Sequence, residues 1–190
     1  TVEDSESYMY ENKTASYTLT VTEKVVKVEK VELDNVTAEI KIGEKTTLKA
    51  TITPDNATNI NVSWSSSNEE IATVNERGEV IGIKAGKATI TVTTEDGRQT
   101  ATCEVTVEKK AGSIRFETAE ISKVFGDTDF SNTLTKVGDG TITYSSSNTN
   151  VATVDGSTGA VIIVGAGSTT ITATVEDSES YMYENKTASY

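Results

Sequence analysis

The first seventeen residues, Thr1 to Tyr17 (TVEDSESYMYENKTASY), recur unchanged as Thr174 to Tyr190 at the other end of the chain. A block repeated intact at a spacing of 173 residues marks a tandem array, and it restricts the fold to units that can be strung in series. The expectation is a scaffold, stalk or fibre segment, slightly more than one period long, with the natural termini of the array beyond it.

A weaker repeat lies inside the period. Trp64-Ser-Ser-Ser-Asn-Glu-Glu-Ile-Ala-Thr-Val74 falls on Tyr144-Ser-Ser-Ser-Asn-Thr-Asn-Val-Ala-Thr-Val154 at a constant offset of 80. After one inserted residue, Ala85-Gly86 meets Ala166-Gly167 and Thr89-Ile90-Thr91 meets Thr170-Ile171-Thr172. Two homologous units of roughly 80 to 90 residues follow, each large enough for one thin core. In the first, alternating runs predict strands over 26–33, 46–52, 59–64, 71–74, 79–83, 88–93 and 100–107. Turn signals such as Pro54-Asp55-Asn56, Arg77-Gly78 and Asp96-Gly97 separate them. Thr, Ser, Val, Ile and Gly dominate and no apolar run has helical period, so the reading is all-β. Short strands at this spacing, with Trp64 between two sheets, predict two tandem immunoglobulin-like sandwiches.

The pattern VxLD, then GExxxLxAxxxPxxA, then VxWSSSNxxIATVxxxGxVxGxxAGxATITVTTxDGxxxAxCxVTV resembles the group 2 bacterial immunoglobulin-like domain, the module of invasin, intimin and other bacterial surface proteins. The resemblance covers about residues 29 to 107. The second copy is similar through its middle but opens differently, with Val124-Phe-Gly-Asp-Thr-Asp-Phe130, and resembles a divergent relative. What this implies is an extracellular, non-enzymatic segment of a bacterial cell surface.

The second copy is also short at its end. The counterpart of Ala101-Thr-Cys-Glu-Val-Thr-Val107 should follow Lys186-Thr187, yet only Ala188-Ser-Tyr190 remains; Ala15-Ser-Tyr-Thr-Leu-Thr-Val21 carries the matching pattern at the other end. The expected division is thus 1–23, the last strand and preceding loop of a second-type domain; 24–109, the first domain; and 110–190, the second domain lacking its own last strand. Ala15, Tyr17, Leu19 and Val21 are the candidates for strand donation. A sandwich without its last strand loses several inward side chains, each worth about 1.5–3 kcal/mol when buried. A second copy could supply them head to tail by β-augmentation. Fraying where a covalent array is interrupted is the competing reading.

Few residues offer chemistry. With no His, Ser-His and Cys-His nucleophiles and zinc sites are excluded, and no cofactor is expected. Cys103 alternates in phase with Ala101, Val105 and Val107 and reads as a core thiol. A net charge of −12 argues against nucleic acid and anionic membranes as partners. Asp127, Asp129 and Asp139 on loops are weak calcium candidates, although their spacing matches no EF-hand and turn-forming Asp explains them as well. The best candidate contact surface is Tyr181-Met182-Tyr183 with its duplicate Tyr8-Met9-Tyr10, which holds four of the seven tyrosines. Such rings could meet a glycan or a host surface protein, or pack on their own loop.

Overall fold

The computed structural model describes residues 16–190, and these form eighteen strands and no helix. The first nine are β1 (Lys30–Leu33), β2 (Thr37–Lys41), β3 (Lys45–Thr47), β4 (Ala50–Thr53), β5 (Val62–Ser66), β6 (Ala72–Val74), β7 (Glu79–Gly82), β8 (Gly86–Thr94) and β9 (Thr100–Glu108). They pair as β2-β9-β8-β5 on one side and as β3-β7-β6 with β1-β4 on the other. The remaining nine are β10 (Lys110–Phe116), β11 (Phe130–Ser131), β12 (Leu134–Val137), β13 (Ile142–Ser146), β14 (Ala152–Val154), β15 (Ala160–Ile163), β16 (Ile171–Val175), β17 (Tyr181–Tyr183) and β18 (Thr187–Ser189). Their sheets are β13-β16-β18, β12-β10-β17 and β11-β15-β14. No ladder joins the two sets, and Lys109 alone separates β9 from β10.

The internal repeat is a repeat of register. Trp64 lies opposite Val92 on β8, and Tyr144 lies opposite Ala173 on β16, the same place in each ladder. Each ring rests on a glycine of positive φ, Gly78 (75°) and Gly159 (72°), where a Cβ would come within 2.9 Å of the ring. Only glycine tolerates both the backbone and the overlying aromatic. Trp64 is partly buried against the first core, at the inter-sheet position expected for it.

The recurring Ser-Ser-Ser-Asn has a structural cause. Ser67 Oγ accepts from Thr89 N (2.8 Å) and Ser147 Oγ from Thr170 N (2.8 Å), so a hydroxyl stands in where the neighbouring strand lacks a backbone acceptor. Asn68 and Asn148 then accept from the amides two residues on, at 3.0 and 3.1 Å, which makes an Asx turn.

Two features escaped the sequence pattern. The run 46–52 is two strands, because at Leu48 the chain leaves the ladder with β7, donates its amide to Gly78 O, and crosses to pair with β1. Strand β2 was not predicted at all: it is charged on one face and pairs parallel with β9, from Thr37 opposite Glu104 to Lys41 opposite Glu108.

The first core is one cluster in which Cys103, Val105 and Val107 of β9 join Leu48, Ala72, Val80, Ala88 and Ile90. Cys103 is buried and free, and burial pushes its thiol above the ordinary value. The second core is divided. Ile114, Phe116, Ala173, Val175 and Tyr183 form one cluster and Ala152, Val161 and Ile171 another, with Tyr190 packed against both.

Candidate functional site

The divided core traces to the last strand. In the second set β18 runs antiparallel to β16, with Thr174 opposite Thr187 and Ala173 opposite Ala188, and Tyr190 exchanges both backbone hydrogen bonds with Ile171 at 2.9 and 3.1 Å. These are the β8–β9 pairings shifted by 81 on one strand and 87 on the other, so β18 is the beginning of the last strand. The expectation that 110–190 lacks this strand is therefore corrected. Its first half is present, because Lys186 to Tyr190 supply the same inward Ala and aromatic-or-Cys positions as β9.

Beyond Tyr190 the structure opens into a groove of about 380 Å³ lined by Ile121, Phe125, Phe130, Ala152, Ile163 and the Gly165–Thr169 segment, among others. Both walls are strand-like sequences without a partner. One is Gly167 to Thr169, part of the counterpart of the start of β8: β8 has nine residues and β16 five, and three of the four counterparts outside β16 line the groove. Gly167 and Thr169 make no backbone hydrogen bond to any described residue. The other wall runs from Ile121 to Lys123, and Ile121 ends Thr118-Ala-Glu-Ile121, a verbatim repeat of Thr37-Ala-Glu-Ile40 in β2 that forms no strand here. In the first set the second half of β9 is bonded on both sides, to β2 and to β8, and that double bracket holds β2 in place. The verbatim tetrapeptide is the sequence signal for this second β2-type segment.

At the other end, Tyr17, Leu19 and Val21 are 87%, 73% and 81% exposed and make no strand. Tyr17 has the same sequence context as Tyr190, whose ring meets Phe116 edge-on at 4.7 Å. Ala15 lies outside the described residues. The places beside β16 that the sequence pattern assigns to Ala15 and Tyr17 are held in this chain by Ala188 and Tyr190.

The Tyr-Met-Tyr segment is β17, parallel to β10, with Lys110 opposite Tyr181 and Gly112 opposite Tyr183. Tyr183 is 2% exposed, and its hydroxyl accepts from Gly140 N at 2.9 Å. Gly112, Gly138 and Gly140 make its slot; a Cβ at Gly112 would stand 2.5 Å from the ring. Tyr183 is consequently a core residue and no part of a ligand-facing set. Tyr181 is partly buried, with Lys110 Nζ 5.9 Å from its ring centroid, and Met182 is 55% exposed. Lys109 Nζ donates to Ser178 O at 2.5 Å and Lys110 N to Ser180 O at 2.8 Å, so the residues linking the two sets also fasten this loop. Asp177 accepts from Tyr183 N and Lys186 Nζ, both at 2.9 Å, and these donors hold its carboxyl below the usual carboxylate value. Tyr8, Met9 and Tyr10 lie outside the described residues.

The three aspartates are dispersed. Asp127 closes a turn on Val124 N, Asp139 accepts from Ser178 Oγ, and Asp129 is exposed. Among the described residues no three acidic or sulfur side chains gather into a metal-ligating group.

Against known proteins, residues 27–105 match the model of the bacterial Ig-like domain (group 2), and residues 131–177 match that of the intimin immunoglobulin-like domain. An uncharacterized protein of Bacillus cereus is 32% identical over 93 residues, which are 47% of this chain and 70% of that protein. The chain belongs to the bacterial immunoglobulin-like domain family. An Ig-like virion protein of Serratia phage KSP90 is 48% identical over 90 residues, 47% of this chain and 35% of that one. An alpha-L-arabinofuranosidase of Bifidobacterium longum subsp. longum is 55% identical over 65 residues, 34% of this chain and 6% of the enzyme. The chain therefore spans about a third or less of these two relatives. What they share with this chain is a bacterial Ig-like module, a structural or adhesive unit typical of surface and extracellular proteins.

Proposed function

We propose that the chain is a stalk or filament repeat of a bacterial cell-surface protein, in which paired Ig-like sandwiches extend in series. The observation that carries this is the 173-residue period itself, which contains two bacterial Ig-like units in series. The module is not an enzyme in this reading, and with no His and one buried Cys it has no Ser-His or Cys-His nucleophile pair.

Adhesion through the Tyr-Met-Tyr segment is the second reading, and it has narrowed to Met182 and one face of Tyr181 at the edge of β17. Small-angle scattering on a chain of two consecutive periods separates the roles. A maximum dimension about twice that of one period, with no binding to a glycan array or to host cells, fits the spacer. Binding that disappears in a Tyr181→Ala, Met182→Ser variant of unchanged thermal stability would replace it with the adhesin.

A further inference from the structure

We infer that the joint between the two halves is stiff, clasped by the Ser178–Ser180 loop, whereas the joint from one period to the next bends, so that an array flexes once per 173 residues. The bending joint rests on the serial reading above; the stiff one stands on the contacts within this chain.

The stiff joint is short and fastened from both sides. Lys109 alone stands between β9 and β10. On the side of the first half, Glu108 O accepts from Ile42 N at 3.0 Å; on the side of the second, Lys110 N donates to Ser180 O at 2.8 Å. Lys109 Nζ donates to Ser178 O at 2.5 Å. A residue has only two soft backbone torsions, and those of Lys109 are held by its neighbours and by its own side chain.

The clasp is fixed to the second half. Ser178 Oγ accepts from Ser180 N at 3.2 Å and from Tyr181 N at 2.9 Å, and it donates to Asp139. From this loop Glu179 and Ser180 meet Ile42, Glu70, Ile83 and Lys84 of the first half around a cleft of about 400 Å³. The two isoleucines give the cleft an apolar floor, and Lys84 brings the one positive charge into it, with Glu179 entering from the other half. The halves also meet at a turn: a Cβ on Gly43 would stand 3.5 Å from Lys110 Nζ.

The joint between periods is built differently. Thr174–Tyr190 repeats residues 1–17, so in the array Tyr190 continues as residue 18 onward, and the match of Ala15–Val21 to Ala101–Val107 puts Thr22 at the place of Glu108. The ladders match Leu33, opposite Ala50, with Phe116, opposite Leu134, and the next amides, Asp34 N and Glu117 N, donate to Lys49 O and Thr133 O. Lys27 then takes the place of Lys110, and the four residues Glu23 to Val26 stand where the stiff joint has one. The first half fastens this segment from Val26 on, whose N donates to Thr58 Oγ1 at 2.9 Å and whose O accepts from Thr58 N at 2.8 Å. A clasp is missing as well. Thr93 pairs with Thr100 as Thr174 pairs with Thr187, yet three residues separate Asp96 from Thr100 where nine separate Asp177 from Thr187. The first-type unit has a tight hairpin in place of the loop that grips Lys109 and Lys110.

Residual dipolar couplings on the 190-residue chain test the stiff joint. One alignment tensor should fit the amides of both halves, with order parameters of about 0.85 from Glu108 to Ala111. Inserting Glu-Lys-Val, the sequence of residues 23–25, after Glu108 should give two tensors and order parameters below about 0.6 in the insert, with the chemical shifts of both halves otherwise kept. Lys109→Ala with Ser178→Ala should separate the tensors without an insertion. In a chain of two periods, spin labels on Thr51→Cys and Ser157→Cys of one period should give a narrow distance distribution. Labels on Ser157→Cys of the first period and Thr51→Cys of the second should give one at least about twofold wider. Both sites are exposed, and Cys103 is buried away from the label. Two tensors in the unmodified chain, or equal widths across the two joints, would overturn the inference. Either result leaves the serial reading standing if the two-period chain still scatters as an extended particle.

Discussion

The two halves of the chain run the same ladder to different lengths. Strand β9 has nine residues and brings Cys103, Val105 and Val107 into one continuous core; β18 has three, and the core beside it is split into two clusters bridged by Tyr190. The difference shows what the second half of a last strand does in this fold. In the first half it pairs with both β8 and β2, and beside it Thr37-Ala-Glu-Ile40 is a strand, whereas Thr118-Ala-Glu-Ile121 is not. Strand identity here is set by a partner about 67 residues away, not by local propensity.

The largest way to break the comparison is to shorten β9 chemically. Val105→Ala with Val107→Ala removes two fully buried side chains and should cost roughly 3–6 kcal/mol, giving the first half a gap like that of the second. The same truncation at Leu19 and Val21 should leave the melting of the isolated chain unchanged, because both are exposed. Denaturant titration of both variants checks the pair. Comparable losses would show that residues 18–22 are already packed within their own chain.

Next comes the aromatic that each half lays on a glycine. Trp64→Ala should cost about 3–5 kcal/mol and unfold the first half first. Tyr144→Ala should cost less, since its core is already interrupted and can relax around the loss. Two resolved transitions by differential scanning calorimetry would assign them, and a loss under about 1 kcal/mol at Trp64 would contradict its inter-sheet role.

These contrasts also explain how much could be read in advance. The offset of 80 to 81, the turns and the alternation located most strands, and Trp64 and Cys103 sit where their phase put them. Strand β2 was missed because its apolar positions, Ala38 and Ile40, are too few to give a period in so charged a run. Tyr183 was misjudged because a Tyr-Met-Tyr sequence looks like exposed aromatic surface; what buries it is three glycines distant in sequence, Gly112, Gly138 and Gly140, and no local pattern reports that. The shortened last strand was legible in alignment, but its partial occupancy by Ala188 and Tyr190 became visible only in the ladder with β16.

A smaller effect sharpens the comparison at the loop that the second half ties down through Asp177 to Tyr183 N and Lys186, where the first half has Asp96 on Val28 N. Backbone and lysine donors depress the Asp177 pKa, so its contribution to stability is complete above the unfolded value of about 3.9 and is lost as pH falls through the lower folded value. Melting of the second half should therefore decline at acid pH more steeply in the wild type than in Asp177→Asn. Parallel pH profiles for the two proteins would remove Asp177 from the account.

The most direct test is to give the second half the residues that the first half has. Appending Thr-Leu-Thr-Val-Thr after Tyr190 should fill the groove from within, raise the stability of the second half by about 3 kcal/mol or more, and slow amide exchange at Gly167, Thr169 and Ser122. An unchanged second transition, with those amides still exchanging fast, would contradict the claim that this groove is the unfilled half of a last strand.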